Sequence, residues 1–416
     1  MKLHVIGAGL AGLACALEAA EAGAEVVLHE ATAQAGGRCR SFHDPLLDRM
    51  VDNGSHLLLT ANAEVLDFLK RGGGHSLLHE ITPARFPMYD LTKGRLHMIR
   101  PGKIPPGLGW RDLWGVWQLR KGRGTVADCL RKAPLYRLLW QPLCEAALNT
   151  APEEASAALL WQVLKESLLA GEKASRPLIV EKGLGPTFIA PVLARLTALG
   201  AEIRFGHRLR AIEEDALVFD DGRIGFGHAV LALPNAAAAD LLPQQVERLP
   251  HRAIVNAHYR LDRPVRLPGG LPFLGLAGAT AQWLFLREDV LSVTVSAADA
   301  LAACPTADIA LLLWHDVSRA LGLPAVPPAW RIIKEQRATI VQTPQTEAFR
   351  NRLRRSTSPH SRVFLAGDWT EAGLPCTMEA AIRSGRRAAR AVIAVAANWD
   401  GRTSQNGEPA ISCGHL

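Results

Sequence analysis

A chain of 416 residues exceeds what one compact core can organise, so two domains are expected, one of them discontinuous. Its 48% hydrophobic and 21% charged content is that of a folded globular protein. The formal charge of +7 invites anionic partners, but no lysine or arginine run alternates with stacking aromatics, which argues against a nucleic-acid reader.

The chain opens on a short apolar strand, Leu3-His4-Val5-Ile6, which runs into Gly7-Ala8-Gly9-Leu10-Ala11-Gly12. An alanine-rich helix follows to Ala22, then a second strand from Glu25 to His29, closed by Glu30. Gly7 allows the turn off the strand, Gly9 lets backbone amides approach a pyrophosphate, and Gly12 lets helix and strand pack closely. The helix N-terminus puts partial positive charge on the anion, and Glu30 falls where a carboxylate can accept hydrogen bonds from a ribose. Gly36-Gly37-Arg38 adds a second small-residue turn with a fixed cation beside the same phosphates. A nicotinamide site does not need that extension, so the cofactor is read as FAD rather than NAD.

Asp52-Asn53-Gly54-Ser55-His56 leads into Leu57-Leu58-Leu59 and a helix from Asn62 to Lys70, stopped by Gly72-Gly73-Gly74. Residues 82–125 are rich in Pro, Gly and Trp, and from Leu130 to Gly171 the pattern is helical. A helix from Ile189 to Leu199 and a strand from Glu202 to Phe205 come next. A meander of Leu209–Glu213, Ala216–Asp220 and Arg223–Phe226, turning at Asp221-Gly222, follows them. Ala229–Leu233 is an apolar strand stopped by Pro234, and residues 237–350 mix strand and helix. Arg362–Asp368 reads as a strand ending in Gly-Asp, followed by a helix from about Thr377 to Ala397 and a polar, disordered tail over 398–416. The fold class is α/β: a Rossmann-like FAD domain of the glutathione-reductase type, assembled from 1–80, 177–236 and 355–397. A mixed α+β substrate domain, 81–176 and 237–354, covers it.

Asp368 sits just past a buried-looking strand, and the helix start at Met378-Glu379-Ala380-Ala381 offers free amides where a reduced flavin gains negative charge. The stretches VIGAGLAGL (5–13), GGR (36–38) and FLAGDWTEAGLPCTMEAAIRSG (364–385) resemble the phytoene-desaturase and amine-oxidase group of FAD enzymes. Asp52–Leu59 and PLCEAALNT (142–150) with PEEAS (152–156) resemble more narrowly the hydroxysqualene dehydroxylases of hopanoid biosynthesis. Ser55 and Cys376 depart from that pattern, which has glutamine and alanine there. The resemblance covers essentially residues 1–397. It implies reductive removal of an allylic hydroxyl from hydroxysqualene, with hydride from reduced flavin N5 and electrons from an unidentified donor. FAD would be held by Gly7, Gly9, Leu10, Ala11, Gly12, Glu30, Ala31, Gly37, Arg38, Asn53, Gly54, Ser55, His56, Leu209, Gly367, Asp368, Thr377 and Met378.

Departure of the hydroxyl needs a proton donor or a polarising group, and His56, Glu145 and Asn149 are the candidates. His56 is equally readable as a flavin-packing residue, Glu145 as a helix-surface or helix-pairing residue, and Cys376 as an unreactive thiol or a flavin tether. Trp110, Trp114 and Trp117, with Arg111, Arg120, Lys121 and Arg123 nearby, fit either a bilayer interface or a buried helix. Seven scattered cysteines without CxxC spacing argue against a metal site or disulfide framework. With no secretion signal and no apolar run of roughly 18 residues, a cytoplasmic enzyme lying on the inner face of the cytoplasmic membrane is expected. The rivals are a carotenoid-type desaturase and a non-catalytic prenyl-lipid escort. An amine oxidase is disfavoured because no tyrosine falls in the C-terminal flavin segment.

Overall fold

The computed structural model describes residues 1–355 and 362–405, with side chains for 1–354 and 362–397. Its first layer is a five-stranded parallel sheet in the order Glu202–Arg204, Glu25–His29, Lys2–Ile6, His228–Leu231, Val363–Leu365. The central strands are largely apolar because both faces are covered, one by the first and last helices and the other by a small antiparallel meander. The helix Leu10–Glu21 is buried almost throughout; its alanines and glycine let it lie close to the sheet on one side and the terminal helix on the other. A Cβ on Gly12 would overlap the Gly7 carbonyl oxygen, and one on Gly385 would overlap that of Ala11. The meander Leu209–Ile212, Ala216–Phe219 and Gly222–Gly225 seats Leu217, Phe219 and Leu209 against Ile6 and Leu231.

The terminal helix, Met378–Gln405, continues past Ala397. Residues 398–405, expected to open a disordered tail, are therefore helical; the rest of that segment, 406–416, lies outside the described residues. The alanine- and arginine-rich run from Arg386 favours helix with no breaker to stop it before Gly401, and one glycine costs only about 1 kcal/mol.

The second layer is a seven-stranded mixed sheet in the order Trp330–Ile340, His251–Arg260, Val290–Val295, Trp283–Arg287, Phe273–Ala277, Phe86–Asp90, Arg95–Ile99. Its strands alternate with period two. Val255, Ala257, Tyr259, Leu284, Leu291 and Val293 form a dry face against the helix Thr306–Leu321, where Tyr259 Oη donates to the Ala310 carbonyl at 2.7 Å. On the opposite face Ile254, Asn256, Thr294, Trp283, Phe285 and Ile333 stay half-buried or carry polar groups, and Asn256 Nδ2 donates to the Asn53 carbonyl at 3.1 Å. That face therefore looks onto the segment after Asp52. A helical layer, Trp110–Arg120, Val126–Leu130, Gln141–Leu148 and Ala157–Glu166, packs beside it.

The helix crossing predicts that Gly385→Val destabilises the fold by about 3 kcal/mol, since neither backbone can retreat. Thermal unfolding checks this: a melting temperature equal to that of the parent would contradict the packing.

Candidate functional site

The glycine turn after the first strand is built as a cradle. Gly7 adopts φ +103°, a conformation other residues rarely take, and its amide donates to the His29 carbonyl at 2.7 Å. Gly9, by contrast, has nothing within 4 Å of where a Cβ would stand. The space over Gly9 and the N-terminal amides of Leu10 and Ala11 is thus open, with the positive end of the helix facing it. Glu30 lies just beyond the second strand, buried. Its Oε2 accepts from Ala8 N at 2.9 Å, and its Oε1 accepts from Thr32 N and Oγ1, each at 2.9 Å. A carboxylate offers about four acceptor positions, so capacity remains for a ribose hydroxyl beside Ala31.

The second turn joins this cradle to the far end of the chain. Gly36 N donates to Ala8 O at 2.8 Å, and Gly37 is exposed next to Gly9. Arg38 then pairs through Nη2 with Asp368 Oδ1 at 2.7 Å and through Nη1 with the Ala338 carbonyl. The Asp368 carboxylate holds the Arg38 guanidinium well above its usual range. Gly367 precedes Asp368 and is tied to the terminal helix by its amide, which donates to Ser384 Oγ at 2.9 Å. Thr377 accepts from Ala380 N through Oγ1 at 3.4 Å, leaving the first-turn amides at Met378 and Glu379 without intrahelical acceptors.

Asn53 bridges the layers: Nδ2 reaches Arg38 O and Glu335 Oε2, each at 3.3 Å, while Oδ1 is buried with no partner among the described residues. Gly54 lies against the Asn256 amide, where a side chain would crowd it. Ser55 is half-buried, and His56 is accessible to solvent although many protein groups lie around it. Burial, with Arg38 as a secondary cause, holds its imidazole below the ordinary range and therefore neutral at pH 7. An open glycine cradle, a free helix N-terminus and an orphaned carboxamide oxygen along one groove fit an extended dinucleotide.

The other candidates divide. Glu145, half-buried on Gln141–Leu148, accepts from Gln141 Nε2 at 2.9 Å and Gln282 Nε2 at 3.0 Å, and burial raises its carboxyl above the ordinary range. Asn149, expected as a catalytic candidate, is spent on structure instead. It ends that helix in the left-handed region, donates to Thr339 Oγ1 (3.0 Å) and Arg252 O (3.3 Å), and accepts from Ala297 N (2.7 Å). Leu209 is buried in the meander's apolar cluster, which leaves only its main chain available to a ligand. Burial pushes the Cys376 thiol up to about 12, and Sγ rests 3.7 Å from the Asp368 carbonyl, the setting of a buried, protonated thiol.

Two residues escaped the sequence reading. Arg350, fully buried, gathers the carbonyls of Asp368, Trp369, Glu371 and Leu374 and pairs with Glu347 at 2.9 Å, fixing the loop that carries Asp368. Glu379 accepts from Glu64 N and Val65 N, each at 3.0 Å, and so caps the helix Ala63–Gly72 from the terminal helix. Their partners are backbone groups distant in sequence, which leave no local signature.

Among known proteins, the family described as flavin containing amine oxidoreductase matches residues 10–393. A hydroxysqualene dehydroxylase of Rhodopseudomonas palustris is 39% identical over 94% of this chain and 98% of the relative. That of Sinorhizobium fredii is 38% identical over 93% and 97%. The chain belongs to the hydroxysqualene dehydroxylase family of flavin-containing amine oxidoreductases. Cyclohexylamine oxidase from Brevibacterium oxydans, 16% identical with a TM-score of 0.73 over 96% of this chain and 99% of that one, shares the fold. This family member is an FAD oxidoreductase.

The cradle predicts a split between two glycines. Gly9→Val leaves the fold intact, because its space is empty, but abolishes FAD retention; Gly12→Val prevents folding. Glu30→Ala folds and weakens FAD binding by about tenfold, the loss of one to two hydrogen bonds to a charged group. Flavin absorbance and circular dichroism of the purified variants check this, and a normally yellow Gly9→Val protein would refute the cradle.

Proposed function

We propose that this chain reductively dehydroxylates hydroxysqualene to squalene, holding FAD with residues of 1–80, 177–236 and 355–397 and the isoprenoid with residues of 81–176 and 237–354. The observation that carries the reading is full-length similarity to hydroxysqualene dehydroxylases, combined with a groove that suits an extended FAD. The pyrophosphate would lie on Gly9, Leu10 and Ala11, the ribose on Glu30 and Ala31, and the adenine on Leu209 main chain. The flavin end would meet Gly37, Arg38, Asn53, Gly54, Ser55, His56, Gly367, Asp368, Thr377 and Met378. When reduced and bound there, FAD supplies the hydride that replaces the hydroxyl at the allylic carbon.

The remaining requirements fall to this chain's own side chains. The amides at Met378 and Glu379 and the fixed Arg38 favour negative charge at the flavin end. Trp283, Phe285, Ile254 and Ile333 offer an apolar wall that favours a long isoprenoid by about 25 cal/mol per Å² buried. The hydroxyl departs as water, which balances the reaction only if one proton arrives with the hydride. Glu145 is the proposed proton donor, because burial keeps its carboxyl protonated to higher pH than usual. Neutral His56 orients the reacting end. An electron donor must reduce the flavin between turnovers, and so water-insoluble a substrate requires contact with membrane lipid, placed here at the inner face of the cytoplasmic membrane. Among the described residues no helix is long and apolar enough to cross a membrane.

Anaerobic incubation of the reduced holoenzyme with hydroxysqualene is expected to yield squalene by mass spectrometry; unchanged substrate, alongside desaturation of phytoene by the oxidised holoenzyme, would overturn the reading. A group whose pKa is raised is protonated over a wider range and loses its proton as pH climbs through the raised value. Turnover should therefore fall on the alkaline side of that value. Glu145→Gln should lower kcat by about 100-fold and abolish that limb, with FAD content unchanged. An unaltered pH profile in the variant would remove Glu145 from the proton-donor role.

A further inference from the structure

The helix Trp110–Arg120 is inverted. Its inner face holds Asp112, Gly115 and Leu119, all buried, whereas Trp110, Leu113, Trp114 and Trp117 face outward with exposures of 71, 62, 53 and 45%. That spacing of three, four and seven residues makes one continuous apolar stripe. Ile104, on the loop before the helix, is 81% exposed. Monomeric proteins rarely leave an apolar patch of this kind uncovered.

The surroundings of the stripe are basic. Residues 100–132 carry eight lysines and arginines against two aspartates, which is six of the chain's seven net positive charges. Of the two aspartates only Asp128 is exposed. Asp112 is fully buried and accepts from Gly109 N, Leu135 N and Trp140 Nε1, and Asp128 caps the next helix through Thr125. Lys121 Nζ sits 3.7 Å over the Trp117 ring, and the Arg111 guanidinium 5.3 Å from the Trp110 ring. A cleft of about 640 Å³ opens between this helix and residues 125–133, lined by Trp110, Trp114, Arg111 and Lys132, with Arg131 paired to Glu153 at its edge.

We propose that the helix Trp110–Arg120, with Ile104 and the surrounding lysines and arginines, is the docking surface for an anionic lipid bilayer. Indole rings favour the boundary between acyl chains and headgroups, and basic side chains beside them favour phosphate. An acidic protein partner would satisfy the charge but not a stripe of three tryptophans and a leucine. The inner face of the same helix reaches the site: Asp112 Oδ1 accepts from Trp140 Nε1 at 2.7 Å, and Trp140 directly precedes the helix that bears Glu145. A bilayer seated on the stripe would thus lie across one helical layer from the candidate proton donor. The lipid substrate gives this surface its use and rests on the proposed reaction, but the surface itself is argued from exposure and charge.

The test uses FAD-loaded full-length enzyme and vesicles of phosphatidylcholine with or without phosphatidylglycerol, read by co-sedimentation and tryptophan emission without substrate. The protein should partition onto the anionic vesicles with a blue-shifted emission, should leave them as salt rises, and should bind neutral vesicles at least about tenfold more weakly. A Trp110→Ser, Trp114→Ser, Trp117→Ser variant should lose partitioning. It should turn over vesicle-embedded substrate slowly while keeping its flavin spectrum and its rate on detergent-dispersed substrate. A second variant, Arg120→Gln, Lys121→Gln, Arg123→Gln, should lose only the preference for anionic lipid. Undiminished vesicle binding by the tryptophan variant would overturn the proposal, as would a parent dimer that the same variant converts to monomer with no vesicle binding by either.

Discussion

The contact on which the site depends is the crossing of the first helix and the last. Gly385 presses against the Ala11 carbonyl, and Gly12 presses against the Gly7 carbonyl one turn away, so three backbones meet where side chains could not fit. That crossing brings the N-terminal glycine turn alongside the strand that ends in Gly367-Asp368. Arg38 then locks the juxtaposition by pairing with a carboxylate 330 residues away in sequence. Because Arg38 is tied by Gly36 to Ala8, and Asp368 by Arg350 to its own loop, the two ends of the chain behave as one rigid frame. A cofactor lying along that frame would touch pieces of chain that sequence separates by hundreds of residues.

The seven-stranded sheet supplies the other side of the site through strand periodicity alone. Its dry face spends Val255, Ala257 and Val293 on the helix Thr306–Leu321, which obliges the alternate positions, Ile254, Asn256 and Thr294, to face the flavin domain. Ile254 and Thr294 remain half-buried while Asn256 is buried against Asn53, so the face mixes apolar walls with a few amides and hydroxyls. Such a surface suits a long hydrocarbon with one polar carbon.

The sequence told most where a requirement is local. The glycine turn, the acid after the second strand and the GGR extension each constrain neighbouring backbone, so Gly7, Gly9, Gly12, Glu30 and Arg38 could be read without coordinates. The five parallel strands were equally plain, being short runs bounded by turns, apolar in all but Glu202–Arg204. What stayed hidden depends on distant partners. Arg350 looks like any arginine on a polar helix, yet four loop carbonyls fill its donors. Asn149 sits in a stretch that suggested catalysis, and only the sheet packed above it reveals that both its amide protons and its oxygen are engaged in structure. The tryptophan helix shows the same limit, because a stripe at helical spacing reads identically whether it faces a core or solvent. Its inner face is settled by Asp112 and Gly115, residues that hydropathy would place outside.

The central claim is that a single extended FAD lies along the frame made by both chain ends, beneath the half-open face of the larger sheet. A crystal structure of the FAD complex addresses it directly. The account requires the pyrophosphate over Gly9 and the Leu10 amide, the ribose on Glu30, and the isoalloxazine between Asn53 and the Met378 helix start. Flavin density elsewhere, or an isoalloxazine on the far side of the Arg38–Asp368 pair from Asn53, would contradict it.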